Sequence, residues 1–276
     1  MSAASDPHVA AGRAPEADLT GWTAEPFTAA GFTYDVYRKG EGPGVVLIPE
    51  MPGLHPGVLA LGNHLVDHGF TVAAPSLYGT PGAPGMRPGA LPVIVRGCVA
   101  KEFAAFATNA DRPVAHYLRA LARDLNSRTP GKGVGVIGEC WSGGFALAAA
   151  VDDSVLAPVM SQPSLPIGLT ARHKADPGLS EGEMKIIERR VAEEGLCALG
   201  LRFTEDPLVP AARFATLKRR LGDAFECIEI DSKKGNEHGF GRTAHSVLTL
   251  EVREREGQPA YEARKRVVEF LKERLG

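Results

Sequence analysis

Cysteine is scarce. The chain has four in 276 residues, Cys98, Cys140, Cys197 and Cys227, and none has metal-ligand spacing with another. That argues against a disulfide scaffold or a cysteine-built metal centre and suits a reducing cytoplasm. Long apolar runs are missing as well: none reaches the roughly eighteen residues a membrane helix needs. The opening "MSAASDPHVAAGRAPEADLTGW" lacks a basic start followed by an apolar block, so the chain reads as soluble, not exported and without a membrane partner. No sign of charge dominates either. Lys plus Arg number 31 against 33 Asp plus Glu, a formal net charge of -2, with no basic stripe to hold a phosphate backbone, so nucleic acid is not an expected partner. No internal repeat or composition break marks a second domain. Residues 1–23, rich in Ala, Pro, Asp and Ser, are expected to form a loose arm before a single domain over residues 24–276.

What the sequence does have is a 44% hydrophobic composition with 32 glycines and 21 prolines, enough apolar matter for a large core with many loops. Strand and helix signals alternate. "FTYDVYR" alternates as an edge strand does, and "GVVLIP" is a short apolar run of the kind buried in a parallel sheet. A helix is expected over Pro56 to Asp67, then the strand "FTVAAPSL" and a Gly/Pro-rich passage from Tyr78 to Ala90. Beyond it follow a helix opening at Pro113, strand "GVGVIG", helix "GGFALAAAV" and strand "SVLAPVMS". A helix over Glu181 to Glu194, strand "CALGLRF", a helix over Pro210 to Leu221, strand "FECIEI" and terminal helices complete the series. This rhythm implies an α/β fold with a mostly parallel central sheet and helices on both faces.

The stretch "KGVGVIGECWSGGFALAAAV" supports two incompatible readings. Gly133, Gly135 and Gly138 spell the dinucleotide fingerprint, which would make the chain a nucleotide-dependent oxidoreductase. That fingerprint needs its glycines after a strand and at the mouth of a helix, whereas here they fall inside the strand, and no acid follows at a strand end about twenty residues on. As a nucleophile elbow the letters fit better. "VGVI" supplies the strand, Cys140 the tight turn and "GGFALAAA" the helix, with Gly138 and Ser142-Gly143-Gly144 small enough for the crowding. A helix N-terminus behind the thiol favours a thiolate. Cys140 as one more buried cysteine is the plainer alternative.

A nucleophile needs a base and an orienter. Asp206 ends a strand in "CALGLRFTEDPLVP", with Glu205 as rival carboxylate and helix capping as its plainer use. His238 lies in the Gly-flanked loop of "FECIEIDSKKGNEHGF" and is the preferred base. His245, in "TAHSVLT", is the rival, with a helix-start or packing role more natural to it.

The motifs "LIPEMPGLHPG", "GECWSGGFALA", "LRFTEDPLVP" and "NEHGFGR", in that order from about Gly31 to the C-terminus, resemble the dienelactone hydrolase family of the α/β-hydrolase fold. The resemblance implies a hydrolase of small carboxylic esters or lactones, working through Cys140, His238 and Asp206 and an acyl-thioester, with no metal or organic cofactor. It implies that Glu50 holds or exchanges the thiol proton and that the Met51 and Trp141 N–H groups form the oxyanion hole. It also implies that Arg242 binds a substrate carboxylate; Tyr78, at the head of the Gly/Pro-rich loop after a sheet strand, and apolar Phe240 are expected to line the pocket. The chain departs from the family at Thr80, where a second carboxylate-binding arginine belongs; Arg87 and Arg96 are the basic residues nearby. A noncatalytic small-ligand-binding protein on the same fold remains the alternative.

Overall fold

The computed structural model describes residues 13–84 and 91–276. Eight strands among them form one sheet: β1 (Thr23–Ala29), β2 (Phe32–Lys39), β3 (Gly44–Ile48), β4 (Thr71–Pro75), β5 (Val134–Glu139), β6 (Val155–Ser161), β7 (Ala198–Phe203) and β8 (Phe225–Ile230). Their order is β1-β2-β4-β3-β5-β6-β7-β8. The pairs β1–β2 and β2–β4 are antiparallel and the rest parallel. Every residue of β3, β5 and β7 is buried, as expected of strands covered on both faces.

The helices are α1 (Pro56–Asp67), α2 (Leu91–Val99), α3 (Pro113–Arg128), α4 (Gly143–Ala149), α5 (Ala171–Ala175), α6 (Glu181–Glu194), α7 (Ala211–Leu221) and α8 (Pro259–Leu275). Two apolar layers follow from the alternation of side chains along β3. Val46 and Ile48 join α3, α4, α6 and α7 on one face. Val45 and Leu47 join α1 and α8 on the other. Local signals account for several boundaries. Ser180 accepts from Glu183 N–H at 3.3 Å while the Glu183 carboxylate accepts from Ser180 N–H at 2.8 Å, a capping box opening α6, which ends at Gly195 with φ 68°. Among the described residues, no helix is long and apolar enough to cross a membrane.

Three expectations need correction. The outer strand is β1, hairpin-paired to "FTYDVYR" through Ala30 and Gly31, both with positive φ (50° and 82°). An Ala-Gly turn is a weaker signal than Asn-Gly, so the hairpin was not legible. The expected loose arm is docked where it is described: Ala17 N–H donates to Pro56 O at 3.0 Å, and Leu19 and Trp22 pack on the α1–α8 layer. Residues 1–12 lie outside the described residues. The Gly/Pro-rich passage lies partly outside them as well, and it leads into α2, which was not anticipated.

The fingerprint glycines serve packing. A Cβ on Gly133 would come within 2.6 Å of Leu156 Cγ, and one on Gly135 within 2.4 Å of Leu271 Cδ2 on α8. They let β5 lie close to its neighbours, and the phosphate-binding position at a helix mouth is taken instead by the Cys140 turn.

Candidate active site

The parallel strands β3, β5, β6, β7 and β8 end at one edge, and their following loops carry Glu50, Cys140, Ser164, Asp206 and His245. Cys140 has φ 52°, a left-handed conformation that costs a non-glycine residue free energy. A short 3₁₀ turn, Cys140–Ser142, leads directly into α4. Crowding around it is severe. A Cβ on Gly138 would lie 2.4 Å from Ser142 O, and one on Gly143 would lie 2.6 Å from Pro163 Cα. Gly144 is not so constrained. Ser142 is fully buried, and its hydroxyl accepts the Glu139 N–H at 3.1 Å while lying 3.0 Å from both Ile48 O and Pro49 O. The hydroxyl thus ties the elbow to the end of β3, a reason for serine where the simple elbow pattern has glycine.

Asp206 is buried, and its partner is His245: Nδ1 stands 2.6 Å from Asp206 Oδ2, while Oδ1 accepts the Leu208 N–H at 2.9 Å. An ionised carboxylate accepts only, so Nδ1 carries the proton. Nε2 is buried and closes no hydrogen bond in this geometry, and the Cys140 sulfur is near enough to act on the ring's proton affinity. Burial opposes a charge on His245, but Asp206 and the Cys140 sulfur outweigh it and push the ring up to about 11. An imidazolium beside the sulfur is therefore the resting state at neutral pH.

The preferred base, His238, is a correction. It is exposed, and among the described residues its neighbour is the Phe240 ring, 6.4 Å away, with no hydrogen-bond or ion-pair partner. Its turn closes on itself. Asn236 Oδ1 accepts the Phe240 N–H at 3.0 Å, and Asn236 Nδ2 donates to Phe240 O at 2.7 Å and Lys233 O at 2.9 Å. Phe240 then anchors in the core on Phe203, with ring centroids 4.9 Å apart, so it packs the interior. Only after this anchor does the chain deliver His245 to the sheet edge.

Glu50 is buried within a polar nest. Its carboxylate accepts from Ser246 Oγ at 2.7 Å, Thr249 Oγ1, Gln162 Nε2 at 3.4 Å and His55 Nε2 at 3.2 Å. The His55 tautomer follows from its other nitrogen, which accepts the Gly57 N–H at 3.1 Å. Burial raises the Glu50 carboxyl, yet His55, Thr249 and Ser246 hold it below its usual range. Glu139 is the opposite case. It is wholly buried with neither carboxyl oxygen bonded, and burial, then Glu50 and the Cys140 sulfur, raise it well above the carboxylate range. One of two neighbouring buried carboxyls is ionised and the other neutral. Nothing in the sequence marked Glu139, Ser246 or Thr249 as members of this cluster.

Arg242 is 71% exposed at its side chain and pairs with Glu205 at 3.2 Å, so the structure does not bring it to the sulfur. Tyr78 is half-buried between the elbow and a cavity of about 540 Å³, its hydroxyl donating to Pro49 O. Thr80, Val93, Arg96, Gly97 and Phe103 also line that cavity. Gly97 lets α2 lie across Met51 and Trp141: a Cβ there would come within 2.4 Å of Met51 Cε and 3.7 Å of the Trp141 ring. Arg87 lies outside the described residues.

Residues 31–275 of the chain are matched by a family model, that of the dienelactone hydrolase family. The chain belongs to the dienelactone hydrolase family. Hydrolase chemistry on an α/β-hydrolase fold comes with that membership. A dienelactone-hydrolase-like promiscuous phosphotriesterase from metagenomic libraries superposes with a TM-score of 0.62 at 18% identity, covering 93% of this chain and 100% of that one. Dienelactone hydrolase from Anabaena variabilis ATCC 29413 superposes with a TM-score of 0.56 at 14% identity, covering 92% and 98%. At these identities the likeness is one of fold. No curated protein matches the chain by sequence.

Proposed function

We propose that this dienelactone hydrolase family member cleaves a small carboxylic ester or lactone through Cys140, His245 and Asp206. The observation that carries the reading is the 2.6 Å Asp206–His245 contact beside a cysteine held at positive φ. The thiolate of Cys140 attacks the carbonyl carbon. The oxyanion that forms is received by the backbone N–H groups of Met51 and Trp141, each such donor contributing about 3 kcal/mol. As the tetrahedral adduct collapses, the His245 imidazolium gives its Nε2 proton to the departing alkoxide, leaving an acyl-thioester. Neutral His245 then takes a proton from water as it attacks the thioester. Sulfur leaves as thiolate, and the ion pair is restored. Asp206 keeps Nδ1 protonated throughout, so Nε2 is the nitrogen that gives and takes.

Glu139 supports this by staying neutral, since a second buried carboxylate beside the sulfur would oppose the thiolate. The cavity at Tyr78 and α2 is the natural seat for the acyl portion, closed by apolar Val93 and Phe103 with Arg96 at its wall. Cys140, Cys197 and Cys227 are free thiols, consistent with a reducing, cytoplasmic setting.

The test is hydrolysis of a panel of p-nitrophenyl esters and small lactones by wild type and Cys140→Ala. Wild type is expected to turn over at least one class with release of the acid, and Cys140→Ala to lose that activity. A Cys140→Ala protein at full rate would falsify the reading.

A further inference from the structure

The loop after β6 has a strained backbone of its own. Gln162 has φ 36° and is fully buried. Its N–H donates to Leu201 O at 2.8 Å, its Nε2 to Glu50 at 3.4 Å, and its Oε1 accepts the Val247 N–H at 3.3 Å. A non-glycine residue stays in this region only when its surroundings over-determine it, and such residues cluster where a side chain has to be aimed. The next residues are fixed as firmly. Pro163 abuts Gly143 at the start of α4. The fully buried Arg213 guanidinium donates to Pro163 O at 2.5 Å, Pro166 O at 2.7 Å, Asp176 O at 2.7 Å and His173 O at 3.2 Å.

What this clamp aims is Ser164. The Ser164 N–H donates to Cys140 O at 2.9 Å, securing the strained turn, and Ser164 Oγ stands 3.5 Å from Cys140 Sγ and 3.2 Å from Gln162 O. The hydroxyl has one proton and two acceptors within reach. We propose that Ser164 is a further catalytic residue, donating its hydroxyl proton to the Cys140 thiolate at rest and turning it to the Gln162 carbonyl once the sulfur is acylated. No covalent bond changes in this step; one hydrogen bond replaces another. A thiolate is a charged acceptor and outcompetes a carbonyl, whereas a thioester sulfur is a weak one and does not. Ser164 therefore stabilises the sulfur in the two states where it bears charge, as the resting nucleophile and as the group leaving during deacylation. This rests on Cys140 being the nucleophile.

The experiment follows the rate of Cys140 alkylation by iodoacetamide against pH, with peptide mass analysis locating the label, in wild type, Ser164→Ala and Ser164→Thr. Other titratable groups acting with the sulfur are His245 from the loop after β8, Glu139 from β5 and Tyr78 from the loop after β4, and all are kept in both variants. Loss of a hydrogen bond to a charged sulfur is expected to raise the alkylation midpoint by about one pH unit in Ser164→Ala. Ser164→Thr, which keeps the hydroxyl, is expected to return it to within about 0.3 unit of wild type. A merely structural serine would lower the melting temperature and leave the midpoint in place. An Ala midpoint within about 0.3 unit of wild type overturns the proposal. The readout needs no turnover, so it is separate from ester hydrolysis surviving in Cys140→Ala, which would sink the hydrolase reading.

Discussion

Between Lys233 and Thr249 the chain carries two histidines, seven residues apart, in two segments built on different principles. In residues 233–240 the polar groups are spent on one another, with Asn236 closing the turn and His238 left exposed. In residues 244–249 they are spent on distant partners: His245 on Asp206, Ser246 and Thr249 on Glu50. The histidine of the first segment, His238, is exposed to solvent and lies on the turn that Asn236 closes. That of the second is buried against a carboxylate and a sulfur, which fixes its tautomer and its charge. Position after a strand identifies the loop; only long-range contacts identify the working residue within it.

The largest effect that would sharpen this contrast is at the orienting carboxylate. Asp206→Asn is expected to lower kcat/KM for a cleaved p-nitrophenyl ester by about 10³- to 10⁴-fold, because an amide no longer holds His245 in its working tautomer. Glu205→Gln, which touches only the surface pair with Arg242, is expected to change it by about 2-fold or less. Comparable losses in the two variants would mean that the acid has been misassigned.

Packing gives the next largest. Gly143→Ala drives a Cβ to 2.6 Å from Pro163 Cα, between backbones that cannot yield, whereas a Cβ on Gly241 meets nothing within 4 Å. In urea titrations Gly143→Ala is expected to cost about 1 to 3 kcal/mol, and Gly241→Ala to stay within about 0.5 kcal/mol of wild type. Equal midpoints would show that the elbow is not crowded.

The pH dependence of stability is the most gradual effect, spread over several pH units. The buried ring resists charge, but Asp206 and Cys140 raise His245 from 6.5 to about 11 on folding. The ion pair holds one proton, as do the neutral ring and thiol of the unfolded chain between about pH 6.5 and 8.5, so the extra folded-state proton counts only above about pH 8.5 and its contribution is lost as pH rises from there toward about 11. Wild type is expected to show an additional decline of up to about 1.4 kcal/mol per pH unit in that window relative to His245→Gln. Parallel stability curves for wild type and His245→Gln would rule out the charged ring.

What the sequence made legible is what local chemistry determines. Helices α1, α3 and α6 announced themselves through Pro56, Pro113 and the Ser180–Glu183 cap. The Cys140 turn was readable because strand, small residues and helix are contiguous. β1 was not, since its turn uses Ala30 in place of a residue at home with positive φ. His245 and the partners of Glu50 escape local reading for one reason. Asp206 is 39 residues before His245, and Glu50 lies 196 residues before Ser246, so neither contact leaves a mark on local spacing. Arg213, whose guanidinium braces the Ser164 loop, reads in isolation as a surface charge on α7.

The central claim is that His245 serves the Cys140 sulfur and His238 does not. Steady-state kcat/KM of His245→Gln and His238→Gln, measured side by side on one ester that wild type cleaves, tests it most directly. The account predicts a loss of about 10³-fold for His245→Gln and a change within about 2-fold for His238→Gln. The reverse pattern, or full activity in His245→Gln, would contradict it.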